Sequence, residues 1–263
     1  MPCNAAALRP QAQATGGGHF LVGLFWRRRF VFHLPSPSPV KRNFIAEFVG
    51  TFALVFIGGG AIMMASHTGN PAGLLQIALA HGLILALMVS ATMNVSGGQL
   101  NPAVTIGLLV ARRITPTVAG VHIVAQLLGA VVAAFALKWA MPSAVFAATQ
   151  GGGQSVALDI TAAQAIGLEA IATFFLMFVI YGTAVNSDAP KIGGLAIGLT
   201  IAADILAIGP LTGASMNPAR SFGPALASGV FAGQIVYWAG PILGAIAAAM
   251  LWEFGILKPE RKA

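Results

Sequence analysis

The side chains of this chain that could do chemistry stand in apolar company. The carboxylates Glu47, Glu169 and Asp204, the imidazole of His81, the guanidinium of Arg220 and the carboxamides of Asn101 and Asn217 are among the polar groups that lie in or between long hydrophobic runs, where such groups are costly and normally face a wet path or one another. The carboxamides open a repeated triplet, Asn101-Pro102-Ala103 in "SGGQLNPAVT" and Asn217-Pro218-Ala219 in "TGASMNPARS", and Arg220 follows the second. No nucleotide loop, metal-ligand cluster or nucleophile-and-base arrangement accompanies them. The chemistry on offer is hydrogen bonding and charge repulsion along a path rather than bond making. No catalysis, no cofactor and no metal are expected.

Asn before Pro starts any helix well: Asn caps free N–H groups, and Pro at the first helical position has its φ preset and lacks a donor that would be orphaned anyway. A third copy, Asn70-Pro71-Ala72 in "SHTGNPAGLL", sits in a polar link and precedes a full-length apolar run, so it reads as an ordinary helix start. The other two precede only "VTIGLLVARR" and "RSFGPALASG". Nine or ten helical residues reach about 14 Å, half a hydrocarbon core, so these are half-helices. Irregular backbone at that depth is tolerated only where it is buried in protein or lines a cavity, which implies a pore. With the half-helix N-termini meeting near the midplane, the Asn amides can donate into the lumen and both dipoles point their positive ends there. Water in single file would turn its oxygen toward both amides, breaking the chain along which a proton could hop, and cations would meet a raised barrier.

The elements that must hold these groups are written in the composition. Hydrophobic residues make up 57% of 263 and charged residues 8%, with a mean hydropathy of +0.84, values suited to a bilayer. Six runs can span it, at 43–65, 74–95, 115–140, 163–185, 192–209 and 232–254, since about 20 residues at roughly 1.5 Å each make about 30 Å. Setting Glu47 on Glu169 aligns "AEFVGTFALVFI" with "LEAIATFFLMFV". Three spans per half is an odd number, so the halves (43–140 and 163–254) form an inverted repeat about an axis in the membrane plane.

The formal charge of +7 follows the same topology. Twelve of the fourteen basic residues precede the first span (Arg9, Arg27, Arg28, Arg29, Lys41, Arg42), follow the last (Lys258, Arg261, Lys262) or lie in connections on that same side (Arg112, Arg113, Lys191). Both termini are therefore expected to be cytoplasmic, and no nucleic-acid partner is needed to explain the charge. Only Lys138 and Arg220 stand apart. Residues 1–42 read as a basic, disordered tail, 43–257 as the channel domain and 258–263 as a short cytoplasmic tail. The single cysteine, Cys3, allows no intrachain disulfide.

With these features the chain resembles the aquaporins (major intrinsic proteins) from Asn43 to Phe254, and "GPLTGASMNPARSFGPALASG" and "YWAGP" are most similar to the tonoplast intrinsic subgroup. The resemblance implies an all-α membrane protein: a right-handed bundle of six transmembrane helices plus two re-entrant half-helices. It implies a selectivity ring of His81, Ile205, Ala214 and Arg220, with Glu47 and Glu169 supporting the two Asn-Pro-Ala loops. Such a ring, wider and less polar than that of strict water channels, implies passage of water and ammonia, with urea and hydrogen peroxide as further candidates. Gln154 stands where the subgroup often has an outer-loop His, which leaves proton exchange with ammonium at the mouth in doubt. A glycerol facilitator is the nearest alternative, although Ser221 follows Arg220 where those proteins usually have Asp. A coupled secondary transporter, using Glu47 and Glu169 as a proton relay, is a more distant one. A homotetramer in the lipid bilayer is implied by resemblance alone. The cell (inner) membrane is the expected location, with the vacuolar or another organelle membrane as the alternative.

Overall fold

The computed structural model describes residues 39–70 and 73–257. Most of the expected N-terminal tail, Cys3, Pro71 and Ala72 of the third triplet, and the tail 258–263 lie outside the described residues. Nine α-helices are described: α1 Pro39–Thr68, α2 Gly73–Ser96, α3 Pro102–Val110, α4 Pro116–Ala140, α5 Ser143–Ala148, α6 Ala162–Ile180, α7 Gly193–Thr212, α8 Pro218–Ser228 and α9 Val236–Leu251. Single π-helical turns extend α6 over Tyr181–Val185 and α9 over Trp252–Ile256. Counting those turns, α1, α2, α4, α6, α7 and α9 are long and apolar enough to cross a membrane. The fold is all-α, with six spanning helices and the two half-helices α3 and α8.

Local signals account for the helix starts. Thr115 caps α4 ahead of Pro116, and Thr161 and Gln164 form a reciprocal capping box on α6. Several ends differ from the apolar runs read above: α1 continues beyond 65 to Thr68, and α9 begins at Val236 rather than 232, because 232–235 form a turn. The first helix already includes Pro39, so residues 39–42 are helical. The fifth span runs on through Pro210 to Thr212, because a proline inside a membrane helix is tolerated when neighbours satisfy the freed backbone group. The sequence also gave no sign of α5 or of the 3-10 turn Gln150–Gly152 beside it.

The inverted repeat is visible in its glycine contacts. At the crossing of α2 and α7, a Cβ on Gly82 would come 2.7 Å from the Gly198 carbonyl, and one on Gly198 would come 2.2 Å from the Gly82 carbonyl. Gly129 of α4 lies against the Phe48 carbonyl of α1 as Gly244 of α9 lies against the Ala170 carbonyl of α6. Small residues let backbones approach without a clash. The half-helices pack the same way, each on the last span of the other half: Gly107 of α3 against Ala245 of α9, and Gly223 of α8 against Ala130 of α4.

Candidate functional site

Both half-helices begin at their triplets. Asn101 and Asn217 have extended backbones (φ −157° and −149°) and cap α3 and α8, with Pro102 and Pro218 as the first helical residues. The Asn101 side-chain oxygen accepts from Ala103 N at 2.9 Å, and that of Asn217 accepts from Ala219 N at 3.0 Å. Their amide nitrogens cross over: Asn101 Nδ2 donates to the Met216 carbonyl (2.7 Å) and Asn217 Nδ2 to the Leu100 carbonyl (2.8 Å). Each NH₂ has two donors, so one is spent tying the loops together and one is left for the cavity, which both residues line. Ala103 and Ala219, fully buried, pack behind the caps.

Behind each loop stands a buried glutamate. Glu47 accepts from Ser96 Oγ (2.6 Å), Gln99 N (3.0 Å), Leu100 N (2.6 Å) and Gln126 Nε2 (2.7 Å). Glu169 accepts from Thr212 Oγ1 (2.8 Å), Ser215 N (2.9 Å) and Met216 N (2.7 Å). These bonds hold a costly backbone, because Leu100 (φ 50°), Met216 (φ 52°) and Ala214 (φ 45°) are all left-handed without being glycine. The turn they make aims the Leu100 and Met216 carbonyls at the opposite asparagine. A second tier, which the sequence reading missed, differs between the halves: Thr105, Gln99, His122 and Gln126 form a network on one side, while Ser221, Ser215 and Tyr237 occupy the other.

The four residues expected to form a ring, His81, Ile205, Ala214 and Arg220, all line the same cavity. Arg220, 4% exposed, donates from Nη1 to the Gly152 carbonyl (3.0 Å) and lies with Nη2 3.0 Å from His81 Nε2. His81 Nδ1 is 2.8 Å from the Ile77 carbonyl. A guanidinium can only donate, so His81 Nε2 must be the acceptor and the ring proton sits on Nδ1. The imidazole has room only because residue 58 is glycine, where a Cβ would fall 2.2 Å from Nε2. Ile205 and Ala214 line the cavity beside them. Gln154 is buried, packs its stem on Gly213, and its amide has no hydrogen-bond partner.

The cavity, about 380 Å³, is also lined by both asparagines, the Ser96–Gln99 loop, apolar residues such as Leu85, Val104 and Ile201, and Arg113. Arg113 is paired with Glu253 (2.6 and 2.9 Å), which also accepts from Tyr181 (2.8 Å). The hydrogen bond to that carboxylate raises the Arg113 guanidinium above its ordinary pKa. Asp204 is buried with its Oδ2 unpartnered and does not line the cavity. Among the described residues no group of His, Cys, Asp and Glu is placed to hold a metal.

The family model described as "Major intrinsic protein" matches residues 36–252. The chain belongs to the major intrinsic protein family. Relatives of this major intrinsic protein include probable aquaporin TIP3-2 of Arabidopsis thaliana, 42% identical over 84% of this chain and 85% of that protein. Aquaporin TIP1-2 of Zea mays is 43% identical over 84% and 87%. Among solved structures, the aquaglyceroporin from Plasmodium falciparum superposes with a TM-score of 0.68 at 27% identity, covering 82% of this chain and 97% of that one. As a member of this family the protein is a membrane channel for water and small solutes, not an enzyme.

Proposed function

We propose that the protein is a passive channel conducting water and ammonia, with urea and hydrogen peroxide as further solutes, and that it rejects protons and ions. The observation that supports this reading is that Arg220, held by Gly152 and His81, lines one cavity together with His81, the apolar Ile205, the small Ala214, Asn101 and Asn217. A solute entering the ring meets one fixed cation, which repels other cations and offers its remaining N–H groups to a lone pair. At the asparagines each free amide N–H offers a donor and no acceptor, so a water there is oriented with its oxygen inward. Glu47 and Glu169 act as struts and not as a proton relay, a reading supported by the saturation of both carboxylates with loop donors. Gln154, where an imidazole could exchange protons with ammonium, is a neutral amide buried off the cavity, so ammonia is proposed to enter already deprotonated.

Stopped-flow light scattering on proteoliposomes, run in parallel with water, ammonia, urea and glycerol, tests this. Water and ammonia above lipid background without any ion gradient are the expected result. Rates that demand a gradient would sink the channel reading in favour of a coupled transporter. The likeness to an aquaglyceroporin structure keeps a glycerol facilitator as the second reading, and rapid glycerol entry would establish it.

Both termini are proposed to be cytoplasmic, a reading supported by the basic residues of the connections on that side. The resemblance to the tonoplast intrinsic subgroup brings the vacuolar membrane forward alongside the cell membrane, and imaging of a tagged chain decides between them. A homotetramer is proposed on family likeness, with no nucleic-acid partner, and mass measurement in detergent tests it.

A further inference from the structure

The half-helices end at opposite membrane faces, and at each end a charged residue from the other repeat half meets them. The offset that sets Gly129 on Gly244 also sets Lys138, at the end of α4, on Glu253, in the π-helical turn after α9. Lys138 Nζ donates to the Ala227 carbonyl (2.8 Å), one of the last of α8 and left unpaired by the helix itself. The same ammonium sits 5.9 and 5.7 Å from the ring centres of Phe135 and Phe146. Phe146 packs under Gly151, where a Cβ would come within 2.9 Å of its ring, and the next residue, Gly152, supplies the carbonyl that holds Arg220.

On the other face, α3 turns out through a left-handed Arg112 (φ 59°), with Arg113 N donating to the Leu108 carbonyl (2.9 Å). Arg113 is thereby joined to the last turn of α3, and Glu253 grips its guanidinium with both oxygens while also accepting from Tyr181. A simple pair at this exposure would count for little. The bidentate geometry and the third donor make it a fixed joint.

These joints meet a mechanical need. Each half-helix packs on its partner span through a glycine, Gly107 on Ala245 and Gly223 on Ala130, so no side chain of these two residues interlocks with the partner span, and bonds at the helix ends must fix the position along the axis. A half-helix of this length is a rigid rod of roughly 14–17 Å, so a shift at its surface end moves its asparagine by the same amount. We propose that Lys138 and Glu253 are positioning residues of the pore, holding the surface ends of α8 and α3 and so fixing the depth at which Asn217 and Asn101 meet. This rests on the channel reading above.

The test uses the full chain in proteoliposomes, as wild type, Lys138→Met, Lys138→Arg, Glu253→Gln and the exchange Arg113→Glu with Glu253→Arg. Water permeability per channel, the ammonia-to-water ratio and proton leak are read alongside the melting temperature in detergent. Lys138→Met and Glu253→Gln should shift the ratio and raise the leak by about threefold or more, as a displaced constriction would. Lys138→Arg and the exchange should return both toward wild type. Unchanged ratio and leak in the two disabling variants, even with a lower melting temperature, would overturn the proposal, leaving the two groups structural only. Where a disabling variant does not insert, its rescuing partner decides: a wild-type ratio in Lys138→Arg or in the exchange supports the proposal, and a leaky one overturns it. Wild-type vesicles no more permeable than bare lipid would bring down the channel reading and this proposal with it.

Discussion

Arg220 Nη2 and His81 Nε2 stand 3.0 Å apart, joining a half-helix of one repeat to a spanning helix of the other beside the cavity that both line. Arg220→Val removes the fixed cation and leaves the His81 acceptor free. A charge at 4 Å in an effective dielectric near 20 is worth about 4 kcal/mol, so proton and cation leak should rise by at least about tenfold while water still passes. A pH-jump measurement with a dye trapped in proteoliposomes reads this, and a leak equal to wild type would show that Arg220 is not the barrier.

Glu169→Gln replaces one carboxylate oxygen by NH₂, so either the Ser215 N–H, now on Oε1, or the Met216 N–H, now on Oε2, faces a donor. One buried donor left unpaired costs about 1–3 kcal/mol, and the loop with the left-handed Met216 loses part of its hold. A clear drop in melting temperature in detergent is expected, with reduced water permeability. Stability equal to wild type would mean that the loop is held by something other than this carboxylate.

Gly244→Ala would press a methyl to 2.0 Å of the Ala170 carbonyl, backbone against backbone, whereas Gly120, on the same kind of membrane helix, has nothing within 4 Å of an added Cβ. The first should destabilise by about 3 kcal/mol or more; the second should be neutral or gain up to about 1 kcal/mol from helix propensity. Paired thermal melts check the contrast, which fails if both behave alike.

Asn217→Ala loses a cap, about 1–2 kcal/mol by itself, together with the tie to Leu100 and the lumen donor. Its water permeability per channel should fall. Asn70 carries the same triplet, bonds to Gln76 and to the Ala65 and Gly73 backbone near its own turn, and is not among the residues that line the cavity, so Asn70→Ala should conduct like wild type. Stopped-flow comparison of the two variants separates a triplet that starts a helix from one that serves the path.

Much was legible in the residue order because it is local. Span lengths follow from how many apolar residues run together, and the starts of α3 and α8 from Asn-Pro, whose capping and preset φ act within a few residues. The half-length of those helices and the repetition of Glu47 in Glu169 imply an inverted, wet interior from residue order alone. That His81, Ile205, Ala214 and Arg220 should form one ring is an expectation from resemblance, since residues so far apart in the chain carry no periodicity that links them.

Only the tertiary structure decided the pairings. The crossing of the two asparagine amides onto each other's loops, the Gly152 carbonyl under Arg220, the glycine beneath His81, and the joints from Lys138 to α8 and from Glu253 to α3 all connect separate elements. The outer connection with α5 and its 3-10 turn was equally silent. Capping and hydropathy act between neighbours and so are written in sequence. A contact between backbones brought together by helix crossing depends on depth and rotation, which are set by packing glycines against carbonyls, and no short stretch of residues contains that information.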